Sequence, residues 1–177
     1  MLFVALGGEG KNPTGSISWL IYIDYLTGQF TEVWPSEGCF LAGSHIQLAD
    51  GSSNSIEKIK LGDMVLTYDM RNNTVKPAMV VKLSLHPHFK GYLHIVTKDK
   101  RELKVTPNHP FFTGSGYVEA EKLKVGDRLY ALKGRKLVPT QIVSIEKKDT
   151  VVDVYNMEIT EYHNYFCEGI LCHNVVK

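Results

Sequence analysis

Residues 56–63 read IEKIKLGD, and 64 positions later residues 120–127 read AEKLKVGD. The similarity continues downstream in two further pairs of segments, 75–81 with 137–143 and 93–97 with 156–160. Self-similarity of this kind is the sequence signature of a duplicated structural unit. We therefore predict two homologous halves, residues 39–111 and 112–174, related by a pseudo-two-fold axis. Such a duplication can bring the two ends of the chain together at its centre.

The pattern around the repeat favours short strands over helices. Apart from short polar stretches, no segment of helical length keeps an apolar stripe at a 3.6-residue period. Apolar and polar residues instead alternate with period two in four segments, 64–68, 92–96, 140–145 and 151–155. Turn signals such as Asp50-Gly51 separate them. An all-β, barrel-like or two-lobed architecture is predicted.

Composition limits the classes of partner. The chain has 177 residues, with 20 Lys+Arg against 19 Asp+Glu, so a formal net charge of +1 offers no electrostatic basis for binding nucleic acid or a membrane surface. The most apolar stretch, residues 17–26, is about half as long as the roughly 20 residues that cross a bilayer. Neither a transmembrane segment nor a signal peptide is indicated. Three cysteines do not make a disulfide scaffold, so we expect a soluble protein with reduced thiols, which favours the cytoplasm.

The first 38 residues lie outside the repeat. They contain two stretches with strand character, residues 18–26 and 29–34, joined around Thr27-Gly28. Short strands separated by a glycine-containing turn favour a β-hairpin. No function can be assigned to this segment from its sequence.

Four motifs hold the residues that could carry chemistry: Gly38-Cys39, Thr106-Pro107-Asn108-His109, Tyr162-His163-Asn164-Tyr165-Phe166 and Cys172-His173-Asn174. Each motif alone has an ordinary structural interpretation, such as a buried cysteine, a turn histidine or a packed aromatic ring. Their combination and order are what point to chemistry. In that order they resemble the motif blocks of the Hint (hedgehog/intein) superfamily, with the closest similarity to bacterial intein-like domains and pretoxin Hint modules.

The resemblance implies a compact, all-β, horseshoe-like fold built by duplication. It also implies a division of the chain into an extein-like N-terminal flank, residues 1–38, an autoprocessing domain, residues 39–174, and a C-terminal flank, residues 175–177. The domain's substrate would be its own flanking polypeptide. It would act once and need no cofactor, unlike an enzyme that turns over.

The N-terminal junction has the residues for an acyl shift. A thiol is the least handicapped internal nucleophile at neutral pH, and Cys39 can attack the carbonyl of Gly38 to form a thioester. By similarity to the family, His109 would donate a proton to the departing nitrogen of Cys39 while Thr106 hydrogen-bonds at the same peptide unit. Water or a small thiol would then take the acyl group.

The C-terminal junction has the residues for cyclisation. The Asn174 side-chain amide can attack its own main-chain carbonyl, close a succinimide and release Val175, because the reacting groups belong to one residue. His173 is the candidate proton donor to the leaving amine, and His163 is a second candidate. Slow spontaneous asparagine chemistry is the ordinary alternative.

Two departures from the family pattern limit the resemblance. Full inteins carry Cys, Ser or Thr after the terminal asparagine, whereas Val175 has no nucleophilic atom, so ligation of the flanks by the standard route is not expected. Many inteins carry Asp at the position of Asn156, which cannot titrate. Asp153 is the residue that could substitute for it.

Other interpretations remain open at the level of sequence. The chain could be an inactive or metal-binding structural module, with zinc held by Cys167, Cys172 and His173 and with His163 close in sequence, although the spacing departs from that of known zinc sites. Inhibitory zinc could be captured by Cys39, His109 and Cys172. Thioester transfer to an outside sterol or amine and a cysteine protease acting in trans are further alternatives, and the His173-Asn174 ending argues against the transfer reaction.

Overall fold

The structure, a computed structural model, describes residues 20–23, 30–33 and 38–174. The chain divides into two compact units, residues 1–37 and residues 38–177. In the described part of the first unit, β1 (Leu20–Ile23) and β2 (Phe30–Val33) pair antiparallel. The predicted hairpin therefore has its paired strands, whereas its predicted turn lies outside the described residues.

The second unit is built from strands that hydrogen-bond into one connected system. They are β3 (Phe40–Leu41), β4 (His45–Gln47), β5 (Ser53–Ser55), β6 (Met64–Asp69), β7 (Thr74–Thr97), β8 (Glu102–Val105), β9 (Pro110–Phe112), β10 (Tyr117–Glu119), β11 (Arg128–Lys133), β12 (Lys136–Ile159), β13 (Asn164–Cys167) and β14 (Ile170–His173). Their order is β5-β4-β13-β14-β11-β12-β3-β8-β7-β6, with β9 beside β10 and β14, and with β12 also paired to β7. The predicted all-β class is confirmed.

Helical structure in the described residues is confined to two 3₁₀ turns. They span Ile56–Lys58 and Ala120–Lys122 and lie at equivalent places in the two repeats. No helix in the described part of the chain has the length and apolar character to cross a membrane.

The pairing of the long strands β7 and β12 joins the two halves of the duplication. Each strand has 24 residues, and they pair antiparallel along most of their length. Phe89 lies opposite Val152 and Lys90 lies opposite Val151. Phe89 and Val151 are equivalent positions of the two repeats, and so are Lys90 and Val152. A two-fold rotation that superposes the repeats therefore converts the facing pair Phe89–Val152 into the facing pair Val151–Lys90. The predicted pseudo-two-fold axis therefore passes between them.

Strand β12 is longer than the sequence pattern indicates. Its polar residues 146–150 separate two predicted strands, 140–145 and 151–155, yet they continue the same strand. The Lys148 ammonium donates to the Glu146 carboxylate at 2.6 Å on the solvent side, and an irregularity between Lys148 and Val151 shifts the register. A solvent-exposed stretch of an antiparallel strand pair accommodates polar residues, and a β-bulge accommodates residues that have no partner on the opposite strand.

The repeated Gly-Asp turns adopt the same structure in both halves. The Asp63 carboxylate accepts a hydrogen bond from the Lys60 amide at 2.8 Å, and the Asp127 carboxylate accepts one from the Lys124 amide at 2.8 Å. The glycine before each aspartate has φ of +88° or +96°, which glycine adopts without a steric penalty. The predicted internal duplication is confirmed at the level of individual hydrogen bonds.

Strand β9 belongs to the second half of the duplication. The Ile56 amide donates to the Ser44 carbonyl at 2.8 Å just before β4, and the Ala120 amide donates to the His109 carbonyl at 2.9 Å just before β9. Because Ile56 and Ala120 are equivalent, β4 and β9 are equivalent strands. The boundary between the halves therefore lies before β9, whereas the sequence placed it after Phe111. Strands of three residues carry too little similarity to mark it.

One hydrophobic core draws on both halves of the second unit. Phe40, Phe111 and Tyr165, from β3, β9 and β13, are among its largest fully buried side chains. Burying a Phe side chain contributes roughly 1.5–3 kcal/mol. These strands also carry the chain past Cys39, His109 and His163, so the same packing that stabilises the domain positions the predicted chemistry.

Asn164 ties the start of β13 to β6. Its Oδ1 accepts hydrogen bonds from Thr67 Oγ1 at 2.9 Å and from the Tyr68 amide at 2.8 Å. Its Nδ2 donates to the carbonyls of Tyr68 at 3.0 Å and Tyr162 at 2.9 Å. The side chain is buried, and both ends of its amide are satisfied. Asn164 therefore fixes the position of β13, the strand that pairs with β14.

Asn164→Ala is expected to lower the free energy of unfolding by about 2 to 4 kcal/mol, because it leaves several buried groups without partners. Urea unfolding in a Cys39→Ala, Asn174→Ala background, which keeps both junctions intact, measures this. Asn72→Ala is the matched control, since Asn72 is exposed and its side-chain amide donates one hydrogen bond, to the carboxylate of Asp69, and it should cost no more than about 1 kcal/mol. Equal losses for the two variants would contradict the role of Asn164.

Candidate active site

Thr106 holds the peptide unit of Cys39. Strand β3 pairs with β8 through Phe40 and Val105, which places the next residue on each side, Cys39 and Thr106, together. The Cys39 amide donates to Thr106 Oγ1 at 2.8 Å, and the Thr106 amide donates to the Cys39 carbonyl at 2.9 Å. Both residues are buried. One threonine thus binds both the amide nitrogen of the Gly38-Cys39 bond and the carbonyl oxygen of Cys39 that follows it.

A tight turn carries His109 back to the same peptide bond. The His109 amide donates to the Thr106 carbonyl at 3.2 Å, which closes a four-residue turn with Pro107 at its second position, where proline is favoured. A Cβ built on Gly38 would collide with the backbone of His109 and would lie 2.7 Å from its Nδ1. Residue 38 is therefore glycine because His109 occupies the space of a side chain.

The His109 imidazole is enclosed by aromatic rings. The ring centroids of Phe40, Phe111 and Tyr165 lie 4.3, 5.4 and 6.4 Å from its own. Burial lowers the pKa of His109 to about 3, and the nearby His173 contributes to the lowering, while the backbone of Gly38 acts in the opposite direction. The imidazole is therefore neutral at pH 7, with one nitrogen as donor and the other as acceptor.

Asn174, the last residue of the predicted domain, directly follows strand β14. This strand pairs with β13 so that His173 lies opposite Asn164, and the Asn174 amide donates to the His163 carbonyl at 3.0 Å. Asn174 is 1% exposed. Neither Oδ1 nor Nδ2 of its side chain has a hydrogen-bond partner among the described residues. A buried amide group without partners costs about 1–3 kcal/mol, so Asn174 is held in a high-energy environment.

The two predicted proton donors at this junction differ in exposure. His173 is half-buried, and its pKa is lowered by burial and by the proximity of His163. His163 is exposed and has φ of +51°, an uncommon backbone conformation for a residue other than glycine. His173 is therefore partly enclosed next to Asn174 in the chain, whereas the His163 side chain lies towards solvent.

The structure brings the turn that carries His109 close to the strand that carries His173. Strand β9, which follows His109, pairs with β14 at Phe111 and Cys172, and the His109 and His173 side chains interact electrostatically. Five buried side-chain nitrogen and oxygen atoms without a hydrogen-bond partner among the described residues lie on His109, Tyr117 and Asn174. Buried polar groups are normally satisfied, so this cluster of exceptions needs an explanation, and a catalytic role is one such explanation.

A family model described as the pretoxin HINT domain matches residues 45–175. The chain belongs to the pretoxin HINT domain family. This Hint domain shares its fold with a bacterial intein-like domain from Clostridium thermocellum, at 29% identity and a TM-score of 0.70, over 77% of this chain and 98% of that one. A DnaB intein from Synechocystis sp. PCC 6803 is 21% identical, with a TM-score of 0.73, over 78% of this chain and 99% of that one.

A curated relative, Protein RecA from Mycolicibacterium fallax, is 32% identical to the Hint domain over 112 residues. The match covers 59% of this chain and 26% of that protein, so the chain spans about a quarter of the relative's length. Family and fold together confirm the predicted Hint, intein-like assignment. They identify a self-processing domain and are consistent with action on its own flanking polypeptide.

Asp153 does not lie beside Asn156 in this Hint domain. Asp153 is exposed and accepts a hydrogen bond from the His88 amide at 3.0 Å, whereas Val154 and Asn156 face the interior. Residues at odd and even positions of a strand point to opposite faces. The prediction that Asp153 could substitute at the position of Asn156 is therefore wrong.

Asn156 itself is buried within the site. Its Oδ1 accepts hydrogen bonds from the Met157 amide at 2.8 Å and from the Tyr165 hydroxyl at 3.3 Å. Tyr165, whose ring also packs near His109, and Tyr117 are the site residues that sequence reasoning missed. Tyr165 lay inside a quoted motif without a role, and nothing in the sequence singled out Tyr117.

The zinc interpretations lose their geometric basis. Among the described residues, no group of three His, Cys, Asp or Glu side chains is arranged to hold a metal ion. That includes the inhibitory set Cys39, His109 and Cys172 and the structural set with Cys167 and His163. Cys172 Sγ donates instead to the Tyr165 carbonyl at 3.3 Å, and burial raises the pKa of its thiol.

His109 should make the stability of the domain depend on pH. An unfolded histidine protonates below about pH 6.5, whereas folded His109 stays neutral down to about pH 3. The unfolded state binds more protons in this window, so the stability contributed above pH 6.5 is lost as pH falls through it. In the Cys39→Ala, Asn174→Ala background, His109→Leu should remove roughly 2 to 3 kcal/mol of the stability loss between pH 7.5 and 4.5.

Urea unfolding at the two pH values measures this difference. His88→Asn is the matched control, because His88 is exposed and has a positive φ that asparagine tolerates. The same pH dependence in the His109→Leu variant as in its parent would show that His109 is not buried in neutral form.

Proposed function

We propose that the domain cuts itself free of both flanks, by a thioester at Cys39 and a succinimide at Asn174. The observation that carries the proposal is the hydrogen bond of 2.8 Å from the Cys39 amide to Thr106 Oγ1, with His109 packed against Gly38 on the same peptide bond. A nucleophile, a residue fixing the leaving nitrogen and a neutral imidazole thus surround the Gly38-Cys39 bond.

In the first step, Cys39 Sγ attacks the carbonyl carbon of Gly38. The bond from that carbon to the Cys39 nitrogen breaks, and the thiol proton ends on the nitrogen, which becomes a free amine. His109 is suited to pass this proton because one of its nitrogens accepts while the other donates. Because the pKa of His109 is low, the imidazole passes the proton on and does not remain protonated. Water or a small thiol then cleaves the thioester.

In the second step, Asn174 Nδ2 attacks the main-chain carbonyl carbon of Asn174. The bond to the Val175 nitrogen breaks, the ring closes to a succinimide, and the proton lost by Nδ2 balances the one gained by the amine. The side chain has no competing hydrogen bond to break among the described residues, so its amide is available for attack. His173, beside it in the chain, is the donor to the leaving amine.

Two features distinguish this function from the alternatives. Val175 has no nucleophilic atom to accept the acyl chain, which favours cleavage over ligation. Cys39 is 1% and His109 0% exposed, which leaves no access for an outside polypeptide and disfavours a protease acting in trans. The site suits a substrate that is already part of the chain.

Cys39→Ala should abolish cleavage after Gly38 and leave release of residues 175–177 intact, because the two steps use separate nucleophiles. Intact mass spectrometry of the 177-residue chain, with and without dithiothreitol, measures both events. Cys167→Ala is the matched control, since Cys167 is equally buried but lies at the end of β13 away from His163. N-terminal cleavage that survives in the Cys39→Ala variant would refute the thioester.

Asn174→Ala should abolish release of residues 175–177 and leave thiol-induced cleavage after Gly38 within about twofold of the parent chain, as expected for separate active groups. The parent product should end in a succinimide or its hydrolysis product, which mass spectrometry distinguishes. Asn72→Ala serves as the control for loss of an exposed asparagine. Release that continues in the Asn174→Ala variant would eliminate cyclisation as the mechanism.

A further inference from the structure

The hydroxyl of Tyr117 is a buried polar group that the proposed steps do not use. Tyr117 lies on β10 opposite Phe112, and the two rings pack with centroids 5.5 Å apart. The hydroxyl oxygen is shielded from solvent and has no hydrogen-bond partner among the described residues. An unpartnered buried hydroxyl destabilises the fold, so this group makes no contribution to stability that would account for its position.

The ring of Tyr117 contacts the histidine that the C-terminal step uses. The centroids of Tyr117 and His173 lie 4.7 Å apart, with the planes at 65°, an edge-to-face arrangement. Burial and the neighbouring Cys172 raise the pKa of Tyr117. The phenol therefore keeps its proton and can act as a hydrogen-bond donor beside His173.

We propose that Tyr117 is a positioning residue for C-terminal cleavage, whose hydroxyl donates a hydrogen bond to the His173 imidazole as the Val175 amine leaves. When one nitrogen of the His173 ring accepts this hydrogen bond, the tautomer is fixed, because the ring hydrogen must then be on the other nitrogen. That other nitrogen is the one that donates to the leaving amine. This inference rests on the proposed function and adds the group that orients its proton donor.

The hydroxyl samples this hydrogen bond only weakly in the resting chain, which is enough to bias the His173 tautomer, and the bond strengthens in the transition state. As His173 passes its proton to the Val175 nitrogen, negative charge grows on the imidazole, and a donor at the other nitrogen becomes more favourable. An interaction that is weak in the resting chain and strong in the transition state accelerates the step. The proton lost by Asn174 Nδ2 restores His173, and Tyr117 keeps its own proton throughout.

Tyr117→Phe tests the proposal because it keeps the ring and removes the hydroxyl. In a Cys39→Ala background, release of residues 175–177 should slow about 10- to 100-fold, as expected for one hydrogen bond made in the transition state. The urea midpoint should stay the same or rise, because an unpartnered buried hydroxyl has been removed. Tyr130→Phe is the matched control, since Tyr130 packs on Phe112 at 5.2 Å in the same aromatic group, and it should release the flank within about twofold of its parent.

A readout at His173 separates this inference from the proposed function. In an Asn174→Ala background, which cannot cyclise, Tyr117→Phe should change the ¹⁵N chemical shifts and tautomer balance of the His173 ring, and Tyr130→Phe should not. Unchanged release or slower release with reduced stability would overturn the positioning role. If the parent chain does not release residues 175–177, the proposed function fails, and the His173 spectra alone decide whether Tyr117 contacts His173. A spectral change specific to Tyr117→Phe would support the contact. No spectral change would overturn it.

Discussion

The antiparallel pairing of β7 with β12 is the constraint on which the rest of the domain depends. Because the paired strands are equivalent members of a duplication, their pairing creates the two-fold axis that places the ends of the two halves side by side. Strand β3 then fits between β12 and β8, which positions Cys39 against Thr106. A register slip of one residue would turn the inward side chains of either strand outward, so the hydrophobic core and the junction are specified together.

Burial gives the site its chemical character. His109 is neutral because a charged imidazole would lose its hydration there, and burial keeps the thiol of Cys172 and the phenol of Tyr117 protonated for the same reason. A site made of neutral groups can move protons over short distances without separating charge. It also carries polar atoms, above all on Asn174, that have no hydrogen-bond partner in the part of the chain that the structure describes. The strand pairing and the core offset that cost.

The sequence was sufficient where the information is local. The duplicated Gly-Asp turns and the period-two alternation predicted an all-β duplicated fold, and the order of motifs from Cys39 to Asn174 predicted that Thr106 and His109 lie beside the Gly38-Cys39 bond. It was insufficient where distant elements decide the outcome. Asp153 faces solvent, β12 continues through its charged middle, and the ring of Tyr117 packs on His173 only because β10 pairs with β9 and β9 with β14.

The histidines also connect the two junctions electrostatically. A charge on His173 lowers the pKa of His109, and a charge on His163 lowers that of His173. Two neighbouring imidazolium ions in a buried site repel each other, so a proton in transit at one junction opposes a proton at the other. Asn156 cannot mediate between them by titrating, because its side chain has no ionisable group. In the proposed mechanism His109 and His173 pass protons on without remaining as imidazolium ions, so this repulsion favours a neutral relay at each junction and leaves the two cleavages independent.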